Sequence, residues 1–262
     1  MIARTTAVVE PGGVLGALSC APPLTLRQVH GEGRCELRLV GTAAGPLAGD
    51  DLSISLTLRA GARATLQAAG ASLAQGRDSG DGSGGAAVAG MLSIRADLAE
   101  RADLIADPGA LIVCRGSRVD VRLELALGAG AAVDWRELIV LGRTGEPPGH
   151  ATLRWDVTRL GRPVLRQFVD LDGTGLTAGR RVLACALISD PASAPRTVVA
   201  SPVAVAQRVD DQTLLVSVLD DDAARAMSQL GDLCARARGE NRSTRGLRAA
   251  YGGDRARPGA AR

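Results

Sequence analysis

The sequence predicts a mostly β protein of stacked sheets, with one or two helices near the C-terminus. Three observations carry this. Apolar and polar residues alternate with a period of two over long stretches, as strands with one buried face require. Short turns containing Gly-Ala separate several of those stretches. Gly is abundant at 33 residues while aromatics make up 2%, so the chain is turn-rich and its core has to be aliphatic.

Taken in order, Leu52, Ile54, Leu56 and Leu58 alternate with Ser53, Ser55, Thr57 and Arg59, and a turn at Gly61-Ala62 leads to a second strand ending at Gln67. Residues 76–90 are Gly- and Ser-rich and read as a surface loop. Asp78 and Asp81 in it do not have calcium-loop spacing. Val119, Val121, Leu123, Leu125 and Leu127 alternate with Asp120, Arg122, Glu124 and Ala126. Thr152 to Val157 and Val164 to Val169 read as a strand pair around Leu160-Gly161-Arg162-Pro163, and Val203 to Val209 with Thr213 to Leu219 as another around Asp210-Asp211-Gln212. Leu58-Arg59-Ala60-Gly61-Ala62, Asp107-Pro108-Gly109-Ala110 and Leu127-Gly128-Ala129-Gly130-Ala131 look like three versions of one connection, which predicts strands stacked through short turns. From Asp222 to Ala237 a helix is expected, with an acidic N-cap and Ala223, Met227, Leu230, Leu233, Cys234 and Ala237 on one face. That face either packs on the body or meets a partner. The expected organisation is a β-rich domain over residues 1–239 and a disordered Arg- and Gly-rich tail over 240–262.

Composition excludes several chemistries. No lysine occurs, and all 31 basic residues are arginines. A P-loop lysine, a pyridoxal phosphate Schiff base and a lysine nucleophile are therefore ruled out. From Arg236 onward eight arginines face Glu240 and Asp254, a net +6, which leaves −3 on residues 1–235 of the chain's +3. A weakly acidic body with a basic tail does not read as a nucleic-acid-binding domain. The five cysteines, Cys20, Cys35, Cys114, Cys185 and Cys234, form no C-x-x-C pair, and neither a signal peptide nor a membrane-length apolar run is seen. A cytoplasmic protein with reduced thiols is expected.

The most informative stretch runs from Trp135 to Glu146: Trp-Arg-Glu-Leu-Ile-Val-Leu-Gly-Arg-Thr-Gly-Glu. It resembles the W-E-I-x-x-x-G-R-x-x-x-G-E signature of the urease accessory protein D family (UreD, called UreH in some organisms), with Arg136 as one extra residue and the second spacing one residue shorter. Gly45-Pro46-Leu47-Ala48-Gly49-Asp50-Asp51-Leu52 resembles that family's G-G-x-x-x-G-D segment, with Pro46 where Gly is usual. Gln67-Ala68-Ala69-Gly70-Ala71 resembles its T-T-Q-x-A-x-K segment without the threonines and the lysine, and Asp107-Pro108 falls near a proline region of the family. The resemblance covers roughly residues 20 to 190, as of a divergent member.

That resemblance implies a β-helix-like, two-layer fold and a scaffold in place of an enzyme. It implies binding to apo-urease on one side and to the accessory proteins F and G on the other, G being the GTPase that supplies nickel. It implies no tightly bound cofactor, only transient nickel, and neither nucleic acid nor membrane as partner. Asp50 and Glu137 become candidate residues of a nickel path, with Asp51, Asp134 and Glu146 as sequence neighbours. Weak oxygen ligands suit a metal that must be released quickly. The family's C-terminal region helps dock the accessory complex, and this chain lacks the usual aromatic ending there.

Read from the residues alone, each of these positions also has a structural role open to it. Glu137 could form a salt bridge with Arg136 or Arg143. Asp50 could cap a turn, with Gly45 and Gly49 as its bends. Gly142 supplies backbone geometry, Arg143 a pairing cation, and Trp135 and Glu146 complete the motif. His30 and His150 fall in no ligand-spaced motif, and the cysteines read as small core residues. Two other classes stay open. One is a carbohydrate-active β-helix enzyme using Glu137 and Asp134 as its carboxylates; the other is an interaction module with no metal role.

Overall fold

A computed structural model describes residues 1–76, 88–172 and 179–239. The loop expected at 76–90 therefore lies largely, and the tail at 240–262 entirely, outside the described residues. The strands are β1 (Ile2–Glu10), β2 (Val14–Ser19), β3 (Leu24–Val29), β4 (Cys35–Gly41), β5 (Asp51–Leu58), β6 (Arg63–Ala68), β7 (Ser72–Ala74), β8 (Gly90–Leu98) and β9 (Asp103–Asp107). Then come β10 (Ala110–Val113), β11 (Arg118–Leu127), β12 (Ala132–Leu141), β13 (His150–Arg159), β14 (Arg162–Leu171), β15 (Val182–Ser189), β16 (Val198–Ser201), β17 (Ala204–Arg208) and β18 (Thr213–Asp220). One α-helix, α1 (Ala223–Arg238), closes the described chain. The mostly β expectation holds.

The strands form two sheets. The first runs β14-β13-β11-β8-β5-β1-β2 and the second β16-β17-β18-β15-β12-β9-β6-β4-β3. In the middle of each sheet the neighbours are parallel: β1, β5, β8, β11 and β13 in one, β4, β6, β9 and β12 in the other. The reason lies in the connections. The turn at Gly61-Ala62 does not make a hairpin; it carries the chain from β5 in one sheet to β6 in the other. The links from β8 to β9 and from β11 to β12 do the same. Each successive arc lies beside the previous one, giving the β-helix-like two-layer stack the resemblance implied.

The arcs share one backbone rule. The amide of Ala62 donates to Arg59 O (2.9 Å), that of Ala102 to Ala99 O (3.1 Å) and that of Ala131 to Gly128 O (3.2 Å). Neighbouring turns are joined by Ala99 N to Leu58 O (2.9 Å), Gly128 N to Leu98 O (2.7 Å) and Leu160 N to Leu127 O (2.9 Å). The third position of each turn has positive φ: 71° at Gly61, 54° at Arg101 and 64° at Gly130. The true middle member of the set is thus Ala99-Glu100-Arg101-Ala102. Asp107-Pro108-Gly109-Ala110, which resembled the other two in sequence, joins β9 to β10 within a single sheet.

Between the sheets lies an aliphatic core, with Leu52, Ile54, Leu56 and Leu58 from β5 and Val119 to Leu127 of β11 facing Leu37, Leu66, Leu104, Val133 and Ile139. Each fully buried side chain of this kind contributes roughly 1.5–3 kcal/mol. A second core forms on the other side of β15 and β18, where α1 packs with Ala226, Leu230, Leu233, Cys234 and Ala237 against Ala184, Ile188, Val216 and Val218. Ala223 and Met227 border it. The apolar face of α1 therefore serves the body of the protein. Asp222 caps the helix by accepting from the Arg225 amide (2.7 Å), and Gly239 ends it in the left-handed conformation.

Candidate functional site

Strand β12 directs Val133, Trp135, Glu137, Ile139 and Leu141 to one side and Asp134 and Arg136 to the other, as the alternating burial of the strand shows. The inward row belongs to the inter-sheet core. Glu137 is thus a carboxylate in an aliphatic row, 6% exposed. Its Oε2 accepts the indole N–H of Trp155, itself fully buried on β13 of the opposite sheet, at 2.7 Å. Burial pushes the Glu137 pKa from 4.5 up to about 7, against the resistance of the Trp155 hydrogen bond and the nearby Trp135 indole. The Trp135 N–H has no hydrogen-bond partner among the described residues, so its effect is that of a nearby dipole and the geometry assigns the bond to Trp155.

Two expected salt bridges are corrected here. Arg136 lies on the opposite face of β12 and pairs with Asp134 (3.1 Å), because adjacent strand residues point apart. Arg143 lies past the strand end and pairs with Glu146 (2.9 Å). Among the described residues no cation pairs with Glu137. The same alternation separates Glu137 from Asp134, so the carboxylate pair imagined for a glycosidase does not exist on one face.

The surroundings of Glu137 are set by a break in the ladder. β12 pairs with β9 as far as Trp135–Ala106 and with β10 from Leu138–Ala110 onward. Asp107-Pro108-Gly109 fills the gap, and proline offers no N–H to the neighbouring strand. A cavity of about 30 Å³ opens there, lined by Ser72, Pro108, Gly109, Leu111, Glu137 and Ile139 among others. That is room for about one water-sized occupant. On the other edge of β12, Cys185 of β15 lies directly opposite Glu137. Burial pushes its thiol up to about 12, with Glu137 adding to the rise and a contact to Ser217 Oγ (3.8 Å) opposing it. Cys185 is therefore a protonated neighbour, identifiable only from the strand register.

Asp50 occupies a different place. It is 6% exposed, and its Oδ1 accepts from the Met1 amino group at 2.7 Å. Its Oδ2 accepts from the Leu47 amide (2.9 Å), and its own amide donates to Leu47 O (2.9 Å). This is the turn cap anticipated from sequence, with Gly49 at φ 78°. Asp51 opens β5, its amide donating to Met1 O. Asp50 is not among the residues lining the cavity beside Glu137.

The Gly142 to Glu146 turn is structural. Gly142 has φ 78°, and a Cβ there would lie 2.7 Å from Pro147 O and against the Arg181 guanidinium. Glu146 accepts from the amides of Arg143 and Arg115 (both 2.9 Å) as well as the Arg143 side chain, and these bonds hold its pKa down to about 2. His150 pairs with Asp170 on the first sheet. Among the described residues no three His, Cys, Asp or Glu gather as a metal-holding group. No helix among them is long and apolar enough to cross a membrane.

The family model described as UreD urease accessory protein matches residues 6–250. The chain belongs to that family. A urease accessory protein UreD from Parafrankia sp. is 32% identical over 246 residues, covering 82% of this chain and 80% of the relative. The Streptomyces avermitilis protein of the same name is 32% identical over 69% of this chain and 72% of its own. Urease accessory protein UreD 1 of Streptomyces griseus is 32% identical over 79% of each. Within this UreD family member, the motif from Trp135 to Glu146 therefore spans the buried carboxylate strand and the arginine–glutamate turn that ends it.

Proposed function

We propose that this chain is a non-enzymatic scaffold in urease maturation, working in the cytoplasm with apo-urease and the accessory proteins F and G. In this reading nickel is its cargo and Glu137 a transient ligand on the way. The observation that carries it is Glu137 itself, a buried carboxylate with no cation partner among the described residues, beside a cavity of about 30 Å³. A carboxylate in such a place costs stability unless it serves something. A single oxygen donor with a pKa near neutrality binds a divalent cation weakly and lets it go. Asp50 enters the proposal as a second carboxylate whose present bonds would have to open before it could take part.

The test uses Glu137→Gln, which keeps the size of the side chain and an acceptor for Trp155, and Asp50→Asn. Each variant replaces the wild type in cells producing urease; the nickel content and activity of purified urease are measured, together with co-purification of the accessory proteins. Reduced nickel and activity with the complex intact support the path. Wild-type activation by Glu137→Gln, or loss of the whole complex, would sink the role given to Glu137.

A further inference from the structure

A sheet edge presents a row of N–H and C=O groups that another strand can pair with, and folded proteins blunt such edges. Three of the four sheet ends here are blunted. β2 has six residues and its pairing with β1 shifts register between Val8 and Val9. β16 has four residues and shifts register against β17. β3 is met by Cys20, whose Sγ accepts from the Leu26 amide (3.4 Å) and donates to Leu26 O (3.6 Å). The fourth end is β14, ten residues long and paired with β13 alone. Pro163 and a register shift opposite it disturb only the start of β14, and from Leu165 to Leu171 the pairing is regular. Among the described residues nothing pairs with the outer edge of that stretch.

The side chains of this edge are free to meet a neighbour. Arg166, Phe168 and Asp170 face outward, opposite Asp156, Arg154 and Thr152 of β13. Phe168, the single Phe of the chain, is 66% exposed, whereas Trp135 and Trp155 are buried. The Arg166 side chain is 75% exposed, and its ion contact with Asp156 is long at 3.8 Å. The Asp170 side chain is 49% exposed and gives Oδ1 to His150 on the β13 side, so Oδ2 remains for the edge. On the inward face Leu165 and Val169 border the core but are only half-buried.

The order of these residues selects the occupant. Arg166 and Asp170 flank Phe168 at equal distance on one face, with opposite charge. An antiparallel copy of the same strand, turned about a two-fold axis at Phe168, sets each Arg166 opposite the other copy's Asp170 and one Phe168 opposite the other. Directly opposed residues of antiparallel strands are the pairs that interact, and a two-fold interface has to be self-complementary in this way. We propose that β14 is an interface between two copies of this chain, which joins their seven-stranded sheets edge to edge. The inference is independent of the role given to Glu137.

Sedimentation of the purified full-length chain over a concentration series tests it. The expected result is a reversible monomer–dimer equilibrium with Kd of about 1–100 μM, as suits a small interface, and slower amide hydrogen exchange over residues 165–171 in the dimer. Arg166→Asp and Asp170→Arg each place like charges face to face at two positions, and each should weaken association about tenfold or more. Mixed one to one, the two variants should associate with each other, because both charge pairs are restored in the mixed dimer. Thermal unfolding verifies that each variant is folded; should one fold poorly, the chain carrying both substitutions provides the same test, since it should dimerise like the wild type. A monomer at every concentration, a dimer indifferent to Arg166→Asp, or charge-swapped variants that fail to restore association would overturn the interface. A monomer whose 165–171 amides slow only when urease or an accessory protein is added would give the edge to a different partner and overturn the second copy.

Discussion

Replacing Glu137 by Gln should change how stability depends on pH, by an amount that follows from its burial. In the unfolded chain the carboxyl releases its proton around pH 4.5; in the folded protein it holds the proton to about 7. Between those values the folded state binds a proton the unfolded state has lost, so wild-type stability falls as pH rises through this window and levels off above it. At about 1.4 kcal/mol per unit, the loss amounts to ~3 kcal/mol. Gln has no such titration. Its amide introduces an offset of its own, but one that does not vary with pH. Urea unfolding of both proteins at intervals from pH 5 to pH 8 isolates the effect: the stability of Glu137→Gln relative to wild type should grow by ~2.5 kcal/mol across the range, the remainder falling below pH 5. The Glu146 carboxyl, held down to about 2, titrates below the window. A difference that stays flat to within about 0.5 kcal/mol would mean that Glu137 ionises like a solvated carboxylate, and the argument for a dry, unpaired site would fail.

Other outcomes follow from the same geometry. Trp155→Phe removes the donor that favours the ionised form, so the Glu137 pKa should rise above its wild-type value, as read by carboxyl ¹³C shifts during a pH titration. Arg101 is an exposed residue at φ 54° where its two counterparts are Gly; Arg101→Gly should stabilise the fold by about 0.5–1 kcal/mol in urea unfolding, since its exposed pairing with Glu100 contributes little. Leu160→Asn should give a smaller gain, because the tight turn with positive φ at Leu160 and Gly161 favours Asn-Gly. Gly142→Ala should cost about 2–4 kcal/mol, seen as a lowered melting temperature, because both φ and the space beside Pro147 O are restrictive.

The parts of the fold legible in sequence are those where one face of an element is wet or a turn is marked by its own residues. The alternation in β5 and β11 and the face of α1 follow from polar and apolar residues meeting different surroundings, and the β13–β14 and β17–β18 pairs from the turn residues between their strands. β15 leaves no such signal, because it is buried on both faces and carries no alternation. The middle arc turn is hidden in the sequence because Arg101 stands where its two counterparts carry Gly. At the candidate site, sequence reasoning singled out Glu137 but paired it by nearness along the chain, and the period of two sends Arg136 to the other face. Its actual neighbours arrive from elsewhere: Trp155 across the inter-sheet core and Cys185 through strand register. Neither leaves a local signal. Asp50 was the easier case, since a turn cap is made by residues adjacent in sequence.

The arcs that pass from one sheet to the other have a consequence for how such a chain can change length. Each arc adds one strand to both layers and closes with the same three-residue hydrogen-bond step. A whole arc can be duplicated or removed with every remaining row of side chains still facing the way it did. Loss of a single residue inside a strand would instead turn the rest of that row inside out. Growth and shrinkage of this architecture are therefore quantised in complete windings, and the long returns at the far end, such as the one from β12 to β13, are where single-residue variation can be absorbed.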